Sequence, residues 1–370
     1  MTSLRTVILS YALGTGHKQV AEILSAELAV LGHGCEHRPL ETWVPLEYDL
    51  LFRHGYLFLA LKHPKVWDAM YTSPRFTRRE ALALPLMRPR AVKAFARTGF
   101  GGADLVVATQ YNAMEVAADW KKTTGSALKL AAVITDYDIY PLWARPEVDL
   151  FLLPHADLVP LLESRGIPRD RIQVTGLPIS PRFETATVRE DTLAALGLDS
   201  HARTAMVFGG GGGMGPLRAS AEACLGTPGW QVIMVCGLNE RLRRSMRAAA
   251  QAEPERLRVL GYRRDIPSLM QASDAVITKG GGLSLTEALY SRSRVIVIPG
   301  LPGQEQVNVR FMEKLGWVEA CGRPEALPSL LPARPAVREA APGLPRAPAR
   351  AAALALDALA RGQTSHPRVP

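Results

Sequence analysis

The sequence predicts an α/β fold built from two doubly wound domains, and three features point to it. Short runs rich in Val, Ile and Leu alternate with helical stretches from Arg5 onward, as expected of parallel strands joined by crossover helices. That alternation pauses at Pro178-Ile179-Ser180-Pro181 and restarts at Thr204, which marks a hinge or domain boundary. With 370 residues the chain has room for two domains of ordinary size, each with its own core.

The first domain, residues 1–178, is expected to hold strands at Arg5–Ser10, Cys35–Pro39, Leu105–Thr109, Leu130–Thr135, Leu150–Pro154 and Ile172–Thr175. A long connection follows Pro39. The second domain, residues 182–331, repeats the pattern: a strand from Thr204 into a glycine loop, then Trp230–Val235, the run around Arg256–Tyr262, Asp274–Thr278 and Arg294–Pro299. Residues 332–370 carry seven prolines among Ala and Arg. They read as a mobile tail with one helix, Arg350–Arg361.

Hydrophobic residues make up 47% of the chain, with no apolar run near the ~18 residues that span a bilayer. The N-terminus reads as a first strand, since Gly-Thr-Gly-His follows it instead of a small-residue cleavage site. Cys35, Cys224, Cys236 and Cys321 lack metal-like or redox-like spacing, which suits a reducing cytoplasm. The net charge of +9 is concentrated: between Arg53 and Arg97 ten basic residues face only Asp68 and Glu80. Arg53, Lys62, Arg75, Arg78 and Arg79 there mix with Tyr56, Phe58, Trp67, Met70, Tyr71 and Phe76. Basic and apolar side chains on amphipathic helices suit an anionic membrane surface. An ordinary solvated helical face is the plainer reading, and a phosphate-tracking patch for nucleic acid ranks last.

The stretch Thr278–Asn308 has the character of the donor half of a nucleotide-sugar site. Its strand ends in Lys279-Gly280-Gly281-Gly282, and a helix is expected to open at Leu283, where unpaired first-turn amides favour an anion. Glu287, in or just after that turn, would accept hydrogen bonds from a ribose. The next buried strand delivers Pro302-Gly303-Gln304-Glu305 at its carboxyl end, the ligand edge of such sheets, where Gln304 and Glu305 would grip sugar hydroxyls. The other glycine loop, with Gly209, Gly210 and Gly211, is no dinucleotide fingerprint, because the following strand ends in Cys236-Gly237 without an acidic residue. It is no P-loop either, lacking Lys-Ser or Lys-Thr. Its lack of bulk lets backbone approach a ligand closely.

The first strand leads into Gly14-Thr15-Gly16-His17, so His17 opens a helix whose dipole favours neutral imidazole, a candidate base. Asp136, after the fourth strand, is the other candidate base; a turn cap is its plainer reading. With Asp138 it forms only two carboxylates, too few to argue a metal site.

In order and spacing these motifs are specific. Gly14–His17, Tyr56–Tyr71, Thr135-Asp136-Tyr137, Val174–Ile179, Gly209–Gly215, Val235–Glu240, Thr278–Glu287 and Pro302–Glu305 resemble the monogalactosyldiacylglycerol synthase and processive diacylglycerol glycosyltransferase family. That group is distantly similar to the peptidoglycan N-acetylglucosaminyltransferase. The resemblance implies a GT-B fold, two Rossmann-like domains facing across a cleft, and an inverting transfer from a UDP-sugar to diacylglycerol or a glycolipid. It places the enzyme in the cytoplasm, on the inner face of the cell membrane, with UDP-sugar as co-substrate and no required cofactor, a divalent cation being optional. It assigns Gly280–Gly282 with Leu283, and the Gly209–Gly211 loop, to the diphosphate, Glu287 to the ribose, Gln304 and Glu305 to the sugar, and His17 and Asp136 to the acceptor hydroxyl. The chain departs from the family at Tyr140, where His is usual, and at Val307. A polyprenyl-type acceptor, a nucleotide-sugar epimerase and a catalytically silent membrane-surface protein are the competing readings. The epimerase has no need of the basic-apolar insert.

Overall fold

The computed structural model describes residues 3–12, 14–71, 73, 89–332, 341 and 343–363. Among them the chain forms two compact units, one of residues 1–180 with 345–370, the other of residues 181–344. Each is built on a six-stranded sheet in which every pair is parallel.

In the first unit the strands are β1 Arg5–Ser10, β2 Gly34–Pro39, β3 Leu105–Ala108, β4 Lys129–Val133, β5 Leu150–Leu153 and β6 Ile172–Val174. They lie in the order β2-β1-β3-β4-β5-β6. Central strands such as β3 and β5 are buried along their whole length, as expected where helices cover both faces of a parallel sheet. Edge strand β2 is partly exposed. The order reverses between β1 and β3, and such a switch point opens a crevice at the strands' carboxyl ends.

The second unit has β7 Arg203–Phe208, β8 Trp230–Val235, β9 Leu257–Leu260, β10 Ala275–Thr278, β11 Arg294–Val297 and β12 Glu319–Ala320, ordered β12-β11-β10-β7-β8-β9. Counted from β7 this is the dinucleotide-fold order 3-2-1-4-5-6, with its switch point between β7 and β10. The two-residue β12 carries no apolar run and was invisible in the sequence.

Glu287 falls just after the first turn of Gly282–Tyr290, one of the two places expected. Two expectations need correction. Gln304 and Glu305 lie not in a loop but in the first turn of the helix Gln304–Lys314. The C-terminal helix is not part of a free tail: Pro348–Ala360 buries Ala349, Ala352, Ala353, Ala355 and Leu356 and packs on the helix Gly16–Val30 of the first unit. There Asp357 meets buried His33 at 2.9 Å. Proline richness suggested disorder, but Ala and Leu at helical spacing supplied a face worth burying.

Candidate functional site

Both switch points carry the residues that the sequence singled out. In the first unit, β1 feeds the helix Gly16–Val30, and His17 sits in its first turn, while Thr109 directly follows β3. The His17 Nδ1–H donates to the Thr109 carbonyl oxygen at 2.8 Å, and the Thr135 hydroxyl lies 3.0 Å from the same nitrogen. Thr109 returns a bond from its Oγ1 to the His17 carbonyl, 3.0 Å. Because a carbonyl only accepts, Nδ1 carries the proton and Nε2 keeps its lone pair. Burial lowers the imidazole pKa below 6.5, while Asp136, and the Thr109 bond, pull the other way. A neutral base supported by a nearby carboxylate is the result. Thr109, whose carbonyl fixes the tautomer, was not singled out in the sequence, and Thr135 only as part of the Thr135-Asp136-Tyr137 motif, with no role given; their place just past strand carboxyl ends was the available signal.

Asp136 lies partly exposed in the turn after β4. Two residues on, burial raises the pKa of Asp138. Tyr140, the departure from the family pattern, is buried and stacks on Tyr71, ring centroids 5.2 Å apart with planes at 20°. Tyr111 closes on Tyr140 from another side, also at 5.2 Å. Tyr140 therefore ties the acidic turn to the end of the helix Pro64–Tyr71 through aromatic packing.

That helix closes the first described stretch of the basic-apolar segment, which is described again from residue 89. Leu46–Asp49 runs into a π-helical stretch, Leu50–Gly55, then Tyr56–Lys62 and Pro64–Tyr71. π-Helical turns are rare and concentrate at functional places. Arg53 is folded back onto buried Asp49, its Nε 2.8 Å from Oδ1, and holds that carboxyl below its usual value. Tyr56 and Trp67 pack edge to face at 4.9 Å, so they and Tyr71 are not the exposed bulk expected. Phe58, as expected, is exposed, and so are Leu46, Leu50, Leu51, Leu61 and Val66, each at least half exposed, beside exposed Lys62. Arg75, Arg78 and Arg79 fall outside the described residues.

In the second unit β7 leads into Gly209–Gly213 and β10 into Lys279–Gly282. Part of the first loop is glycine for packing reasons. A Cβ on Gly213, whose φ is +59°, would meet the Cys236 carbonyl oxygen at 2.0 Å. The turn after β8 locks onto this loop through Leu238 N–H to Gly211 O, 2.9 Å, and Asn239 Nδ2 to Gly213 O, 3.1 Å. Gly210 faces the other loop: a Cβ there would come within 3.7 Å of Lys279 Cε and 3.8 Å of Ser284 Oγ. The helix Gly282–Tyr290 starts beside them, with Gly281 as its N-cap and no side-chain cap, and Leu283 and Glu287 are buried in it. Gly280 lies against the next helix: a Cβ would strike Glu305 O at 2.5 Å, and its carbonyl accepts from Asn308 Nδ2 at 3.1 Å.

Lys279, unassigned in the sequence reading, forms an ion pair with Glu305, and Leu301 N–H also donates to Glu305 Oε2 at 2.9 Å. Gln304 is partly exposed one residue before. Glycine backbone, a helix start and an ammonium thus converge at one switch point, which suits a phosphorylated ligand. Among the described residues no group of three His, Cys, Asp or Glu side chains gathers to hold a metal ion.

Comparison with known proteins gives the same division. Residues 17–179 match the monogalactosyldiacylglycerol (MGDG) synthase model, and residues 204–333 the glycosyltransferase family 28 C-terminal domain. A processive diacylglycerol beta-glucosyltransferase from Bacillus pumilus is 28% identical over 328 residues, covering 85% of this chain and 82% of that protein. The protein of that name from Bacillus thuringiensis is 29% identical over 197 residues, 53% of this chain and 51% of its own. Among solved structures, Acinetobacter baumannii MurG superposes with a TM-score of 0.60 at 15% identity, over 96% of this chain and 99% of its own. Anabaena Alr3699/HepE, in complex with UDP-glucose, gives 0.53 at 13%, over 97% and 98%. At such identities these two structures speak for the fold. The first unit is thus similar to monogalactosyldiacylglycerol synthases and the second to the carboxyl-terminal domain of glycosyltransferase family 28, on the two-domain Rossmann-like fold of the GT-B glycosyltransferases.

Proposed function

We propose that this protein is an inverting glycosyltransferase that moves a hexose from a UDP-sugar to diacylglycerol, or to a glycosyl-diacylglycerol, at a membrane surface. The observation that carries the reading is the pair of switch points: a neutral imidazole with an available Nε2 at one, and glycines, an uncapped helix start and an ammonium at the other. In the first, His17 takes the proton of the acceptor hydroxyl as its oxygen attacks the anomeric carbon, and Asp136 stabilises the resulting imidazolium. In the second, Gly280–Gly282 with Leu283 and the Gly209–Gly211 loop receive the diphosphate, to whose oxygen the electron pair of the broken glycosidic bond passes. Glu287 serves the ribose, and Gln304 and Glu305 the sugar. A single displacement inverts the anomeric centre.

No helix among the described residues is long and apolar enough to cross a membrane. The exposed Leu50, Phe58, Leu61 and Val66, next to Lys62, give a peripheral protein a means of seating on anionic lipid, on the cytoplasmic face of the cell membrane. Purified protein incubated with diacylglycerol in anionic vesicles and a panel of UDP-sugars should release UDP in step with glycolipid formation. UDP release without a glycolipid, or no release with any donor, would sink the reading.

A further inference from the structure

Lys279 and Glu305 form an ion pair at the carboxyl end of β10, with side chains only 10% and 12% exposed. Such pairs are costly, since the desolvation of both charges offsets much of their attraction. This one has also imposed sequence around it. A Cβ on Gly300 would stand 2.1 Å from Glu305 Oε2 and 3.0 Å from Lys279 Cβ, and one on Gly281 would stand 3.0 Å from Lys279 Nζ. Two glycines therefore keep open the space around the pair. The ammonium sits at the N-cap of Gly282–Tyr290, near Gly210, whereas the carboxylate has a second anchor in the Leu301 N–H, 2.9 Å away. One partner is tethered by backbone and the other is held by its charge alone.

Resting on the donor reading above, we infer that Lys279 is the cation for the donor's diphosphate, kept on Glu305 while the site is empty. When the diphosphate settles at the helix start, its two phosphates outcompete a single carboxylate for the ammonium. Glu305 keeps its Leu301 N–H bond and turns its freed oxygen to the hydroxyls of the transferred sugar. The exchange links two recognition events: the carboxylate becomes available for sugar only when a diphosphate has drawn off the lysine. It also leaves the ammonium on the oxygen that gains negative charge as the glycosidic bond breaks.

Calorimetric titration of the full chain with UDP and with UMP, which lacks the second phosphate, tests this without lipid. Wild-type protein should bind UDP more tightly than UMP. Lys279→Met should weaken UDP by about tenfold or more and UMP by less than about twofold, in line with the loss of one charge-assisted contact. Lys279→Met alone strands the Glu305 charge in a nearly buried place, so the doubly neutral Lys279→Met/Glu305→Gln is the decisive variant, and it should lose UDP affinity equally. Glu305→Gln alone should bind UDP at least as tightly as wild type, while losing the gain in affinity that a UDP-sugar has over UDP. Restored UDP affinity in the double variant would mean that Lys279 merely shields Glu305, and overturns the proposal. Equal losses for UDP and UMP overturn it too, pointing to a structural role. Wild-type protein that binds neither nucleotide removes the donor reading and this inference together.

Discussion

The two units solve the same architectural problem and then diverge in charge. Both place loops at the carboxyl ends of a switch point, between β1 and β3 in one and between β7 and β10 in the other. At the first, a carbonyl oxygen orients an imidazole that burial keeps neutral. At the second, glycines clear space for backbone amides and a lysine ammonium. The sheet decides where chemistry can happen, and a handful of loop residues decide whether that place handles a proton or an anion.

The sharpest way to break this division is to damage one side and measure the other. His17→Ala should lower kcat by roughly a hundred- to ten-thousandfold, the usual worth of a general base, while UDP affinity by titration stays within about twofold of wild type. A comparable loss of UDP binding would show that the two roles are not separated. Gly280→Ala inverts the experiment. Its methyl would press on the Glu305 carbonyl and, at 2.8 Å, on Val309 Cγ2, which should cost about 1–3 kcal/mol and weaken UDP by at least about fivefold, leaving vesicle binding unchanged in a sedimentation assay. The opposite pattern is expected for Phe58→Ser with Leu61→Ser: these exposed side chains support no core, so nucleotide affinity should hold while vesicle binding falls by about tenfold.

The pH profile gives the smallest and most specific effect. If His17 is the base proposed above, it acts as neutral imidazole, and activity should be lost as protonation sets in. Because burial depresses its pKa, the acid limb of kcat/KM should stand below 6.5, and an acid limb above that value would argue that another group is the base. The same depression links protonation to folding. The contribution of neutral His17 to stability is complete above its unfolded pKa and disappears as pH falls through the lower folded one. Thr135→Val, which removes the hydroxyl 3.0 Å from Nδ1, should displace the limb by only a fraction of a unit, since the Thr109 carbonyl remains.

Much of this was legible because buried parallel strands are written as continuous apolar runs. Arg5–Ser10 was located to the residue, and the other longer strands to within a residue or two. Glu319–Ala320 escaped because a two-residue edge strand has no periodicity to read. The glycine loops announced themselves, but the reasons for individual glycines did not: Gly213 answers to Cys236, and Gly280 to Glu305, partners far away in sequence. Lys279 was hidden in plain sight beside the glycines, since only folding reveals that its charge is opposed by a carboxylate 26 residues away. Aromatic residues in the basic segment read as surface because nothing local foretells that Tyr71 will meet Tyr140.

The return of the helix Pro348–Ala360 to the helix Gly16–Val30 has a consequence for assembly. Residues 181–344 form a continuous stretch inserted into the other unit, so as the chain leaves the ribosome they can fold as they emerge. The amino-terminal unit, although synthesised first, stays incomplete until Ala352, Leu356 and their neighbours arrive to cover it. The unit that holds His17 is thus the last to mature, and a chain cut short after residue 344 would carry a finished second unit and an unfinished first one.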